Sequence, residues 1–180
     1  QQYLLDNLKI NVRIIGLSNS KKMLFDENGI SLKSWKGLLN NSLDASLDGF
    51  LKNIISLNCR NSIFVDITAN EKVANMYRRY LKNSITVVAC NKIACSSEYN
   101  KYNELKELSL EYDSPFLFET NVGAGLPVID TLNNLIASGD RVLKIQAVLS
   151  GSLNFIFNNF NPNTKFHDIV KQAQMEGYTE

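Results

Sequence analysis

Lys92 is the sharpest candidate for chemistry in this 180-residue chain. With Asn91 it follows an apolar run, ITVVA at 85–89. An ammonium at a strand's end in a crevice can lie against a carbonyl or alkoxide oxygen and stabilise charge there, and burial tunes its proton affinity. A solvated surface lysine is the competing reading. Glu119 opens the segment ETNVGAGLP, where a carboxylate precedes a loop whose two glycines let carbonyl oxygens turn inward. One carboxylate with several carbonyls suits a hard cation. A tight strand-to-helix turn needing glycine conformations accounts for the same residues, and the two readings are compatible. His167 is the one histidine. It sits in an amphipathic helical pattern with no cysteine or second histidine at ligand spacing, so it reads as a surface or capping residue rather than part of a Ser-His-Asp triad or zinc site.

Composition narrows the classes. At 44% hydrophobic, the chain has enough apolar side chain for a core, and its net charge of +1, with Lys and Arg spread along the sequence, lacks the footprint of a nucleic-acid or membrane-surface binder. A small-molecule partner is expected. The apolar run 85–90 is far shorter than the roughly 20 residues of a membrane-spanning helix, and no secretory signal pattern opens the chain. Cys59, Cys90 and Cys95 form neither a CxxC pair nor a regular framework. They suit a reducing compartment, so the expected location is cytoplasmic. The nine glycines nowhere fall as GxGxxG or GxxxxGK[ST], so the usual phosphate loop is not in this sequence.

These side chains must be positioned by the elements around them. Strands are expected at 12–17 (VRIIGL), 63–67 (IFVDI), 85–89, 116–118 and, with partial alternation, 141–149. Helices are expected at 46–57, from a Thr68-x-x-Glu71 capping box through about 82, at 97–112, from the Gly123–Pro127 loop to Ser138-Gly139, and over 154–159 and 166–175. Alternating strands and helices argue for a doubly wound α/β fold with a parallel sheet, whose ligands bind outside the carboxyl ends of the strands. That rule selects Ser18-Asn19-Ser20, Thr68-Ala69-Asn70, Asn91-Lys92 and Glu119-Thr120-Asn121. Loops after strands are polar in any case, which is the bland reading of each.

The segments VDITAN, ACNKIACSS, FETNVGAGLPVIDTL, SGD, VLSGSLNFIF and MEGYTE, in this order and spacing, resemble homoserine dehydrogenases along nearly the whole chain. NVGAGLP and LSGSLNFIF are the most specific. GLSNSKKM, the segment around Trp35 and the form TNVGAGLP resemble the dehydrogenase half of bifunctional aspartokinase/homoserine dehydrogenases more than the single-function enzymes. The resemblance implies NAD(P)-dependent interconversion of L-homoserine and L-aspartate 4-semialdehyde in threonine and methionine biosynthesis, by a cytoplasmic homo-oligomer. It places Ser18 and Asn19 near the adenosine ribose, Thr68 and Gly177 at the cofactor, Lys92 as an active-site lysine also beside the cofactor, and Glu180 at the substrate. Glu119 and the carbonyls of Val122, Ala124 and Leu126 fall on a monovalent-cation site, usually sodium.

There are departures. The family begins with a strand and a GxGxxG loop, and continues past GYTE into a segment carrying an aspartate and a second catalytic lysine. Cys90, Ile93 and Ala69-Asn70 replace a common proline, lysine and serines. The expectation is therefore a Rossmann-like doubly wound parallel sheet lacking its first βα unit over residues 1–140, and the start of an α+β substrate-binding and dimerisation domain over 141–180, inactive alone. The alternative is a non-catalytic module that self-associates through 141–149.

A Rossmann protein that prefers NAD usually carries Asp or Glu after its second strand, whereas this chain has Ser18-Asn19-Ser20-Lys21-Lys22. A lean towards NADP is expected. Values of kcat/KM with both cofactors in the complete enzyme check it, and a strong NAD preference would overturn it.

Overall fold

The computed structural model describes residues 1–179, in two units. In the first unit, Gln1–Asn121, a short helix α1 (Gln2–Leu8) precedes β1 (Gly16–Ser18) and β2 (Lys22–Phe25); α2 (Trp35–Asn40) and β3 (Leu43–Asp44) follow. The three strands form an antiparallel sheet in the order β1-β2-β3, with Leu17 opposite Leu24 and Met23 opposite Leu43. The run at 12–17, expected as one parallel strand, is thus strand only at its end, and belongs to this meander. The Asn19 carboxamide explains the reversal. Its Oδ1 accepts from the backbone N–H groups of Lys21 and Lys22, both at 2.8 Å, and closes a tight hairpin. A Cβ at Gly16 would lie 3.1 Å from both Ile54 and Phe50, so any larger residue would press on these two side chains of the following helix.

That helix, α3 (Leu47–Leu57), is capped by Ser46, whose hydroxyl accepts from Gly49 N–H, and it buries Phe50, Leu51 and Ile54. β4 (Ile63–Asp66), α4 (Glu71–Ala74), α5 (Tyr77–Leu81), β5 (Thr86–Ala89), α6 (Ile93–Ser96), α7 (Tyr99–Glu111), β6 (Phe116–Leu117) and a 3-10 turn at Glu119–Asn121 complete the unit. β4, β5 and β6 pair in that order as a parallel sheet, as expected for the α/β class, with Asp66 opposite Ala89 and Val87 opposite Phe116. Parallel neighbours need crossover connections, which α4–α5 and α6–α7 supply.

The expected helix to about 82 is broken. At Met76 the chain tightens, its N–H bonding three residues back to the Val73 carbonyl, and α5 starts anew. The cap also differs from the expected box. Asn70 is the N-cap, accepting from Lys72 N–H at 2.8 Å, while the Thr68 hydroxyl accepts from Asn70 N–H.

One face of the parallel sheet carries the core. Val87 and Ala89 meet Tyr77, Tyr80 and Leu81 of α5 and Leu105 and Leu108 of α7, all buried, and Phe64 stacks on Tyr80 with ring centres 4.0 Å apart. Arg79 ties α5 to α3 by an ion pair with Asp48, whose carboxyl is held below its ordinary range by that hydrogen bond and charge. Both groups are well exposed, so the pair adds little stability.

In the second unit, Val122–Glu180, α8 (Ile129–Ala137) ends in a left-handed Gly139 (φ 91°) with the Asp140 N–H bonding back to the Leu135 carbonyl. α9 (Gly151–Asn159) packs on α10 (Phe166–Met175) through Ile156, Ile169 and Ala173. Tyr178 stacks on Phe155 at 4.3 Å. The expected strand at 141–149 is not formed: the unit has no strand among its described residues for it to pair with, and an isolated strand cannot satisfy its backbone groups. Leu143 is 94% exposed there. No helix among the described residues is long and apolar enough to cross a membrane.

Leu81 is fully buried at the centre of the first unit's core. Leu81→Ala should cost about 2–5 kcal/mol, read as a lowered midpoint in urea unfolding; an unchanged midpoint would contradict this packing.

Candidate active site at the carboxyl ends of the parallel strands

β4 ends on a carboxylate. Asp66 is 1% exposed, and a buried carboxylate is tolerated only when hydrogen bonds replace its water. Its Oδ1 accepts from the backbone N–H of Thr68 at 2.7 Å, and its Oδ2 accepts from the Tyr77 hydroxyl at 2.6 Å and the Asn91 carboxamide at 3.0 Å. Its backbone carbonyl takes the Cys90 N–H at 2.8 Å. Burial, then the bond to Asp66, pushes the Tyr77 hydroxyl far above the ordinary phenol range, so it remains a donor at any physiological pH.

Asn91, itself 2% exposed, carries the connection onward. Its NH2 also donates to the Asn70 carbonyl at 3.1 Å, and its Oδ1 accepts from Ile93 N–H at 3.1 Å. The Asn121 carboxamide, oriented so that its NH2 faces acceptors, donates to the carbonyls of Ala89 (3.0 Å) and Cys90 (3.1 Å). Three of the four segments selected from the sequence are therefore joined by hydrogen bonds at the ends of β4, β5 and β6. Lys92 lies between buried Asn91 and half-buried Ile93, with an exposed side chain, and opens α6. Thr68 and Asn70 are exposed, and Glu119 is half-buried.

The fourth segment is built differently. The Ser18 hydroxyl donates to the Lys22 carbonyl at 3.1 Å, and Asn19 closes the hairpin, so both side chains serve the turn. The ammonium of Lys22 pairs with Asp44 at 2.9 Å, whereas Lys21 is exposed.

Residues 122–128 form a loop in which Gly123 (φ 74°) and Ala124 (φ 52°) are consecutive residues of positive φ. The Leu126 carbonyl accepts from Val128 N–H at 2.9 Å. Glu119 belongs to the first unit, and Val122, Ala124 and Leu126 to the second. Among the described residues no cluster of three or more His, Cys, Asp or Glu can hold a metal ion. Gly177 (φ 79°) is exposed beyond α10; Glu180 lies outside the described residues. His167 is exposed in the first turn of α10.

Sequence reasoning missed Asp66 and Tyr77. The signal for the first was present: an aspartate inside the apolar run IFVDI is a carboxylate that a sheet must bury or end on. Tyr77 read only as one residue of an apolar helix face, because no spacing rule shows where a hydroxyl points.

Residues 2–119 match the family model described as the homoserine dehydrogenase NAD binding domain, and residues 127–180 the one described as homoserine dehydrogenase. The bifunctional aspartokinase/homoserine dehydrogenase of Haemophilus influenzae is 40% identical, aligned over 100% of this chain and 22% of that protein. The homoserine dehydrogenase of Schizosaccharomyces pombe is 39% identical, over 86% of this chain and 43% of that protein. A Candida auris protein of unknown function has a similar structure (TM-score 0.79, 32% identity, 98% of this chain and 52% of that one). So does a hyperthermophilic archaeal homoserine dehydrogenase in complex with NADPH (TM-score 0.74, 24% identity, 99% and 57%), a likeness of fold. The chain thus spans about a fifth of the bifunctional relative and about half of these structures.

Two cysteines flank Lys92 and differ in exposure. Cys90 is exposed; Cys95 is half-buried, and burial pushes its thiol up to about 11. Since the thiolate is the reactive form, iodoacetamide at pH 8 should label Cys90 before Cys95, with Cys95 catching up as the pH approaches 11. Timed peptide mass mapping reads this, and equal rates at pH 8 would contradict it.

Proposed function

Because this chain belongs to the homoserine dehydrogenase family, we propose that it supplies the nucleotide-binding region and one catalytic lysine of an NAD(P)-dependent oxidoreductase that interconverts L-homoserine and L-aspartate 4-semialdehyde. The observation that carries this reading is the hydrogen-bonded set at the strand ends, in which Asp66 and Asn91 join the Thr68–Asn70 segment to Lys92.

The nicotinamide supplies hydride acceptance and return. The chain's own residues do the rest. The exposed Thr68–Asn70 segment lines the cofactor, with the Thr68 N–H held by Asp66 and its hydroxyl held by the next turn. Lys92 stands where its amino group meets the substrate oxygen, taking the proton lost as the alcohol becomes an aldehyde and returning it in reverse. Ser18 and Asn19 shape the hairpin that borders the adenosine ribose, and exposed Lys21 is the cation available to a 2′-phosphate, Lys22 being paired with Asp44. Gly177 contacts the cofactor and Glu180 the polar end of the substrate.

For the cation, the donor set fits a monovalent ion better than a divalent one. The resemblance assigns one carboxylate, Glu119, and the carbonyls of Val122, Ala124 and Leu126, a set of low charge. Sodium is the proposed occupant. The protein acts in the cytoplasm as a homo-oligomer, and the exposed apolar side chains Leu143, Ile145 and Val148 support self-association through this stretch.

Lys92→Ala in the full-length protein should lower kcat by roughly 10²–10⁴-fold, the range for a positioned proton-transfer group, with NADPH affinity changed by less. Steady-state turnover of homoserine with NADP and fluorescence titration of NADPH read the two quantities. Full turnover in this variant would overturn the reading.

A further inference from the structure

The buried Asp66 carboxylate does more than the core requires. A strand end at this depth could be apolar, as Val87 and Ala89 are on the neighbouring strand. Instead, three donors from three separate pieces of chain converge on Asp66: the loop amide of Thr68, the Tyr77 hydroxyl of α5, and the carboxamide of Asn91 beyond β5. The last two share one oxygen. On either side of Lys92 the backbone is pinned through this group. Cys90 N–H is bound to the Asp66 carbonyl, and Ile93 N–H to the Asn91 oxygen whose amide partner is held by Asp66. The backbone that carries Lys92 is thereby fixed on both sides.

The geometry points to Asp66 as a positioning residue, whose carboxylate orients Asn91 and through it aims Lys92, while holding the Thr68 amide in the cofactor segment. This rests on the function proposed above for Lys92.

The distinguishing variant is Asp66→Asn. It is isosteric and keeps an oxygen for the Thr68 N–H, but it sets an NH2 against the NH2 of Asn91, so the Asn91 amide must turn away. In the full-length protein we expect kcat for homoserine oxidation to fall at least tenfold while the NADPH Kd moves less than threefold. Adding Asn91→Asp restores a donor facing an acceptor across positions 66 and 91, and should recover part of the lost kcat. Asn91→Ala reaches the same contact from the other side, leaves Asp66 with two donors, and should show the same loss.

Ser114→Ala is the control for burial alone. Ser114 is 1% exposed and donates to the Leu81 carbonyl, just before β6 and so at the opposite end of the parallel strands. This variant should lower Tm and leave kcat unchanged. Wild-type kcat in folded Asp66→Asn, or in Asn91→Ala, would overturn the proposal. So would a kcat that tracks Tm alike in the 66, 91 and 114 variants, with no rescue in the double variant. Lys92→Ala, assayed in parallel, separates the two claims. A dead Lys92→Ala beside an active Asp66→Asn overturns the positioning role alone, whereas an active Lys92→Ala overturns the functional reading with it.

Discussion

The site depends on one buried charge. A carboxylate cannot be taken out of water without compensating hydrogen bonds, and Asp66 obtains them from the amide of its own loop and from a tyrosine and an asparagine farther along the sequence. Each donor is thereby constrained by the same requirement. Moving any one of them leaves a buried oxygen short of a partner, so the loops after β4 and β5 are coupled by necessity rather than by mere proximity. Among the described residues no buried side-chain nitrogen or oxygen lacks a partner, which is the expected signature of such a set when it is complete.

The sheet makes this convergence possible. Parallel pairing places Asp66 opposite Ala89, so both chains leave the sheet at the same level, and the next amide, that of Cys90, bonds across to the Asp66 carbonyl. The helices fill one face with Tyr77, Tyr80, Leu81, Leu105 and Leu108. Tyr77 serves both roles, its ring in the core and its hydroxyl at the site. The core and the polar set at the strand ends are thus joined at one side chain, which is why a helix residue that reads as apolar packing turns out to support a loop.

Much of this was legible in the sequence, and the failures have physical causes. The runs at 63–67 and 85–89 formed paired strands near their expected positions, because β-branched residues bounded by polar turns suit nothing else as well. The capping-box spacing marked a helix start but not the cap: Asn70 competes for that role with Thr68, and the residue that wins depends on how Asp66 and Asn91 fix the loop. The 12–17 run carried a strand pattern but not its partner. The hairpin closed by Asn19 settled that in favour of β2. At 141–149 alternation was present and pairing was not, since period two describes which side chains share a face and not whether a neighbour exists.

By itself, the sequence determined the class of fold and the family through its motifs, and it singled out four polar segments beyond its expected strands, because these follow from local periodicity and residue type. Only the tertiary structure decided which segments meet. The Asp66 carboxylate, an anomaly within an apolar run, became a centre when helix α5 brought the Tyr77 hydroxyl to it and parallel pairing brought Asn91. Hydrogen bonds between residues 11 and 25 apart in sequence are set by the packing of whole elements, and no local pattern encodes them.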